Sequence, residues 1–88
     1  MKYTKIEGML IKAPIKMKKN RKGETVCKLI VFDEYEELDK PLKAEGITAN
    51  EALLELGAGD TIEAICHETN RHFIIDLIMR KSKFKKGA

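Results

Sequence analysis

The sequence predicts an all-β domain with one short helix, in the order three strands, helix, two strands. Period-two alternation of apolar and polar residues recurs in five stretches separated by Gly, Pro, Asn or Asp. One segment breaks that rhythm. In Thr48–Leu56, Ala49, Ala52, Leu53 and Leu56 recur at helical spacing, so one face is apolar. A helix this short, wedged between strands, needs a sheet or barrel to lie on.

Taken in order, residues 3–18 read as one long strand. From Met9 the odd positions Met9, Ile11, Ala13, Ile15 and Met17 are apolar, while Ile6, before Gly8, has the opposite parity. A parity switch at a glycine predicts a β-bulge there, and a strand bent in this way can serve two sheets. Pro14 lacks an N–H and predicts an edge or a second bend. Asn20-Arg21-Lys22-Gly23 is a hairpin tip, with Gly23 free to take positive φ. In the second strand, residues 24–33, Lys28 must face water, which turns Cys27, Leu29 and Val31 inward. Val26, Ile30 and Phe32 then share an outer face with Lys28, and so many large apolar groups imply a cover.

An acidic link, residues 33–39, leads to a short edge strand starting near Pro41, with Leu42 and Ala44 inward. Thr48 with Glu51 reads as a capping box for the helix, and Gly57 as its positive-φ stop. The fourth strand, 60–67, turns Ile62, Ala64 and Cys66 inward. Glu68-Thr69-Asn70-Arg71 is a second hairpin tip, with Asn70 able to take the left-handed region. The fifth strand, 72–80, is expected to turn Phe73, Ile75, Leu77 and Met79 inward, away from Asp76 and Arg80. Residues 1–82 form one domain, and 83–88 a basic C-terminal tail that does not pack. At 88 residues there is no room for two cores.

The net charge of +3 conceals segregation. Lys12, Lys16, Lys18, Lys19, Arg21 and Lys22 form a run without an acid; Asp33, Glu34, Glu36, Glu37 and Asp39 form one without a base. Arg80 to Lys86 is basic again. Such a surface favours a polyanion on one side only. No apolar run approaches a membrane span, and an apolar leader is lacking, so a cytoplasmic protein is expected, with Cys27 and Cys66 as buried thiols.

The element order, the bent first strand and the Leu56-Gly57-Ala58-Gly59-Asp60-Thr61-Ile62 step into the fourth strand together resemble the OB-fold. That is a five-stranded Greek-key barrel whose helix plugs one end. The similarity spans residues 4–81. It implies binding of single-stranded nucleic acid, DNA favoured over RNA, across the second and third strands between two flanking loops. Carried over by position, the clamp comprises Lys16, Lys18, Lys19, Arg21 and Lys22 on one side and Asn70, Arg71 and His72 on the other. The floor comprises Lys28, Ile30, Phe32 and Tyr35. With five aromatics and no Trp, stacking is sparse, so weak, salt-sensitive, sequence-tolerant binding follows.

Other chemistry is not supported. Cys27, Cys66, His67 and His72 lack zinc-ligand spacing, and adjacent strand residues 66 and 67 point to opposite faces. The carboxylates crowd into an acidic link rather than a tuned pair, and no nucleophile or phosphate-loop motif occurs. No enzyme activity, cofactor or metal is therefore expected. The competing expectation is a protein-interaction module, with a homo-oligomer or partner covering Val26, Ile30 and Phe32.

Overall fold

Five strands and one helix make up the computed structural model, which describes residues 2–16, 19–70 and 72–84, Lys16 by its backbone alone. They are β1 (Tyr3–Lys16), β2 (Val26–Asp33), β3 (Leu38–Glu45), α1 (Ile47–Glu55), β4 (Thr61–Glu68) and β5 (Phe73–Ser82). The strands close into a barrel in the order β1-β2-β3-β5-β4. All contacts are antiparallel except the short parallel one between β3 and β5, at Leu42–Phe73 and Lys43–Ile74.

β1 serves both halves of the barrel: Tyr3–Met9 pairs with β4, and Gly8–Lys16 with β2. The two sets overlap at Gly8 and Met9. A Cβ on Gly8 would stand 1.7 Å from the Phe32 carbonyl oxygen, so glycine is what lets the two backbones approach. The predicted parity switch at Gly8 is corrected. Ile6, Gly8 and Leu10 all point inward, whereas Met9, Ile11 and Ile15 are each more than 40% exposed. The register faults fall later, between Leu10 and Lys12 and between Lys12 and Ile15. The second brackets Pro14, where a missing N–H costs the ladder least. Met17 lies outside the described residues.

Ile6, Leu10, Cys27, Leu29, Val31, Leu42, Ala44, Ile62, Ala64, Cys66 and Ile75 fill the barrel, and Ala49 of α1 joins them at its end. The helix lays down the expected face: Ala49 and Ala52 are buried, with Leu53 and Leu56 packed beside them. The Cys27 thiol donates to the Ala49 carbonyl at 3.6 Å. Its ends differ from expectation. Gly46, at φ 64°, is the N-cap, and no side-chain cap bond forms at Thr48. Gly46 donates to the Thr25 carbonyl instead, and this entry beside Val26 accompanies the burial of a residue expected on the outer face. At the other end, positive φ falls on Gly59 (94°) rather than Gly57. Arg80 Nη1 satisfies the Glu55 carbonyl at 2.7 Å, doing the work of a C-cap.

The turn after α1 is organised by Asp60, which is 4% exposed. Its Oδ2 accepts the Gly57 N–H at 2.9 Å and its Oδ1 the Phe84 N–H at 2.9 Å, while its backbone oxygen accepts the Leu10 N–H at 2.7 Å. Phe84, 55% exposed, also lays its ring against Gly59. Residues 85–88 lie outside the described residues. In β5 the register shifts between the pairs Ile65–Leu77 and Cys66–Ile75, which bulges Asp76. Parity flips there: Ile75 and Ile78 pack on the core, and Leu77 and Met79, expected inside, are 61% and 56% exposed.

The acidic link is a tight turn rather than a loop. β2 and β3 pair as far as Asp33–Leu38, Glu37 takes φ 55°, and its N–H donates to the Asp33 carbonyl at 2.9 Å. Asp33 is buried. Its carboxylate meets Lys40 Nζ at 2.7 Å and accepts the N–H groups of Tyr35 and Glu36. The hydrogen bond from Lys40 holds the Asp33 carboxyl below its usual range. Burial works against the Lys40 charge, but its bonds to Asp33 and Glu36 outweigh that and raise its pKa. Asp33 is therefore a structural ion-pair partner, not part of a solvated acidic surface.

Candidate nucleic-acid interface

Pairing between β1, β2 and β3 lays the outer face down in rows: Met9–Phe32–Asp39, then Lys12–Ile30–Pro41, then Ile15–Lys28–Lys43. Apolar and cationic groups alternate across it, with Ile30 and Phe32 half-buried and Lys28 exposed. Charge changes sign along β2. The Phe32 end abuts Asp39 and the exposed Glu34, Glu36 and Glu37; the Lys28 end leads to the basic hairpin tip.

That tip is braced from within. Asn20 Oδ1 accepts the N–H groups of Lys22 and Glu24 at 2.9 Å, Asn20 N–H donates to the Glu24 carbonyl, and Gly23 takes φ 79° as expected. Lys19, Arg21 and Lys22 are exposed around this bracing. Arg21 and Lys22 sit in the turn itself, so their cations are carried on an ordered support. Lys18 and Arg71 lie outside the described residues, as does the Lys16 side chain.

On the other flank, Asn70 and His72 are exposed between β4 and β5, and Thr69 N–H closes the turn on the His72 carbonyl at 2.9 Å. His72 shares a hollow of about 200 Å³ with Lys28, Pro41, Leu42 and Lys43. The fold therefore brings the second loop to the strand-two floor at Lys28. It does not bring the whole floor together: Phe32 lies four residues along β2 from Lys28, about 13 Å away. Tyr35, 77% exposed, stands beyond it in the acidic turn.

Lys43 was not among the sequence-derived site residues. It read as one half of an edge-strand alternation, and only the β2–β3 register puts it across from Lys28. A tight turn at residues 34–37 fixes that register, and the acids there signalled a longer link instead.

The remaining chemistry-bearing groups are placed as structure. Burial pushes the Cys66 thiol up to about 12, so it is no nucleophile near neutral pH. His67 Nδ1 lies 2.7 Å from Asp76, on the opposite side of the barrel wall from Cys66. Among the described residues no group of three or more His, Cys, Asp or Glu could hold a metal, and no helix is long and apolar enough to cross a membrane.

No protein-family model matches the chain, and no curated protein sequence does. Solved structures do. The SSB domain of a Synechococcus sp. protein superposes with a TM-score of 0.76 at 11% identity, covering 89% of this chain and 93% of that one. The second single-stranded DNA-binding protein (SSBb) of Mycobacterium smegmatis gives 0.74 at 16% identity, covering 98% and 97%. A deletion mutant of the Thermus aquaticus single-stranded DNA-binding protein gives 0.77 at 20%, covering all of this chain and 45% of that one. The chain has the OB-fold, with its helix between β3 and β4, and resembles these single-stranded DNA-binding domains in it.

Proposed function

We propose that this protein binds single-stranded nucleic acid, DNA in preference to RNA, with little sequence preference, as an accessory to replication or mobile-element DNA processing. The observation that carries the reading is the outer face of β1–β2–β3. There Lys12 and Lys28 alternate with Ile15, Ile30 and Phe32, and the braced basic tip and His72 flank the Lys28 end. Cations neutralise phosphates while apolar groups and the few rings meet the bases. The likeness to single-stranded DNA-binding domains supports it at the level of fold.

Residues Lys16, Lys18, Lys19, Arg21, Lys22, Asn70, Arg71 and His72 are the clamp in this reading, and Lys28, Ile30 and Phe32 the floor. Tyr35 contributes least, because Glu34 and Glu36 flank it in sequence and repel phosphate. No cofactor or metal is involved, and the protein is a binder rather than an enzyme. The reading predicts that Arg21→Glu with Lys22→Glu weakens binding to a labelled single-stranded oligonucleotide by tenfold or more at about 50 mM salt. The slope of log affinity against log salt becomes shallower by about 1.4, roughly 0.7 for each lost phosphate contact on a single strand. Fluorescence anisotropy across a salt series measures both. Unchanged affinity and slope would remove the tip from the site.

The competing reading, a protein-interaction module or homo-oligomer without nucleic-acid binding, has a partner cover the same outer face of β2 at Ile30 and Phe32, and the opposite side of the barrel offers a further apolar surface. Tyr3, Leu77 and Met79 are exposed there, on strands β1 and β5 that flank β4. On β2 the two readings compete for one face.

A further inference from the structure

Lys28 and Lys43 face each other directly across β2 and β3. Like charges in that position cost an antiparallel pair stability, and sequences ordinarily place an acid or a neutral group opposite a lysine. Little here offsets the repulsion. Among the described residues Lys28 has no ion pair, and its neighbour on β1 is Ile15. Lys43 has only Glu45, at a long 3.8 Å and on its own strand. Both lysines help to line the hollow that they share with Pro41, Leu42 and His72. Its volume of about 200 Å³ equals that of some six or seven water molecules, enough for a phosphate group.

We propose that this pair is a phosphate seat: one phosphate group sits between the Lys28 and Lys43 ammonium groups at the mouth of the hollow. In a bound strand the occupant is a backbone phosphodiester, with the adjoining sugar or base against Pro41 and His72. This rests on the nucleic-acid reading above and adds Lys43 to it. Each ammonium offers three donors, and the phosphate oxygens between them replace repulsion by two charge-assisted contacts. The seat also dictates path. A strand anchored there crosses β2 and β3 at their basic end, between the hairpin tip and His72, and avoids the acidic turn near Phe32 and Tyr35. It follows that the free fold carries a cost that ligand relieves.

Lys28→Gln and Lys43→Gln therefore have effects of opposite sign. Each variant melts a few degrees higher than wild type at low ionic strength, because the like-charge pair is gone. Each binds a labelled single-stranded oligonucleotide about three- to tenfold more weakly, with a salt slope shallower by about 0.7. Lys2→Gln, at the exposed start of the chain, shows neither change. Two lysine variants indistinguishable from Lys2→Gln, with wild type still binding tightly, would overturn the seat while leaving the nucleic-acid reading intact. If wild type binds no oligonucleotide, that reading falls and inorganic pyrophosphate decides the seat. A rise in wild-type melting temperature with millimolar pyrophosphate, absent in both variants, supports it; an equal rise in all proteins overturns it.

Discussion

Gly8→Ala is expected to unfold the protein or come close to it, although it adds a single methyl group. The new carbon would stand 1.7 Å from the Phe32 carbonyl oxygen, 2.8 Å from its carbon and 3.3 Å from the Asp33 Cα. All three are backbone atoms, so no side chain can swing aside. Relief requires β1 to move off β2 at Gly8–Asp33 and Met9–Phe32, where β1 is also paired with β4. Overpacking a core by a methylene costs about 1–3 kcal/mol, and a backbone clash at a strand shared by both halves of the barrel costs upward of about 4 kcal/mol. A chain of this size holds a margin of roughly 5–10 kcal/mol. Gly23→Ala makes the contrast. That site is open, with nothing within 4 Å, and only its φ of 79° is strained, so about 1 kcal/mol is expected. Urea unfolding of the two variants side by side separates crowding from backbone strain.

Asp60→Ala is the second large effect. The buried carboxylate holds the Gly57 and Phe84 N–H groups, and Arg80 Nη1 lies 3.9 Å away. Removing it orphans two donors where helix, turn and the end of β5 meet, at a cost of roughly 3 kcal/mol. The bonds from Phe84 and then Gly57 hold the Asp60 carboxyl below its usual range, and the bond from Lys40 does the same for Asp33. A carboxyl lowered on folding adds stability that is fully present above its unfolded pKa, near 3.9. That stability is lost as pH falls through the lower folded value. Those contributions should therefore be constant from about pH 7 to pH 5 and fall steeply below about pH 4. In Asp60→Asn the neutral-pH stability is lower and the acid limb shallower, Asp33 and Glu7 supplying what remains. Chemical denaturation at several pH values reads both, and an acid limb identical to that of wild type would show that Asp60 does not carry this linkage.

Much of the fold was legible in local pattern. The apolar spacing of Ala49, Ala52, Leu53 and Leu56 marked the helix, and the alternation around Lys28 placed Cys27, Leu29 and Val31 in the barrel. What could not be read depends on the neighbouring strand. Met9, Ile11 and Ile15 look like core, and they lie outside because β1 turns Ile6, Gly8 and Leu10 inward. Leu77 and Met79 were displaced by a bulge at Asp76 that has no glycine to announce it. Asp33 looked like one acid among several until β3 brought Lys40 back against it. The candidate site divides in the same way. The basic tip was visible as a charge run, whereas Lys43 acquires meaning only through its register with Lys28.

The claim on which the functional account stands is that single-stranded nucleic acid lies on the outer face of β1–β2–β3 at its basic end. Backbone amide chemical shifts, followed residue by residue while an unlabelled single-stranded oligonucleotide is added at low salt, test it most directly. The account predicts that shifts concentrate on Arg21, Lys22, Lys28, Ile30, Lys43 and His72 and spare Tyr3, Leu77 and Met79. Shifts centred on those last three, or no shifts at all, would contradict it.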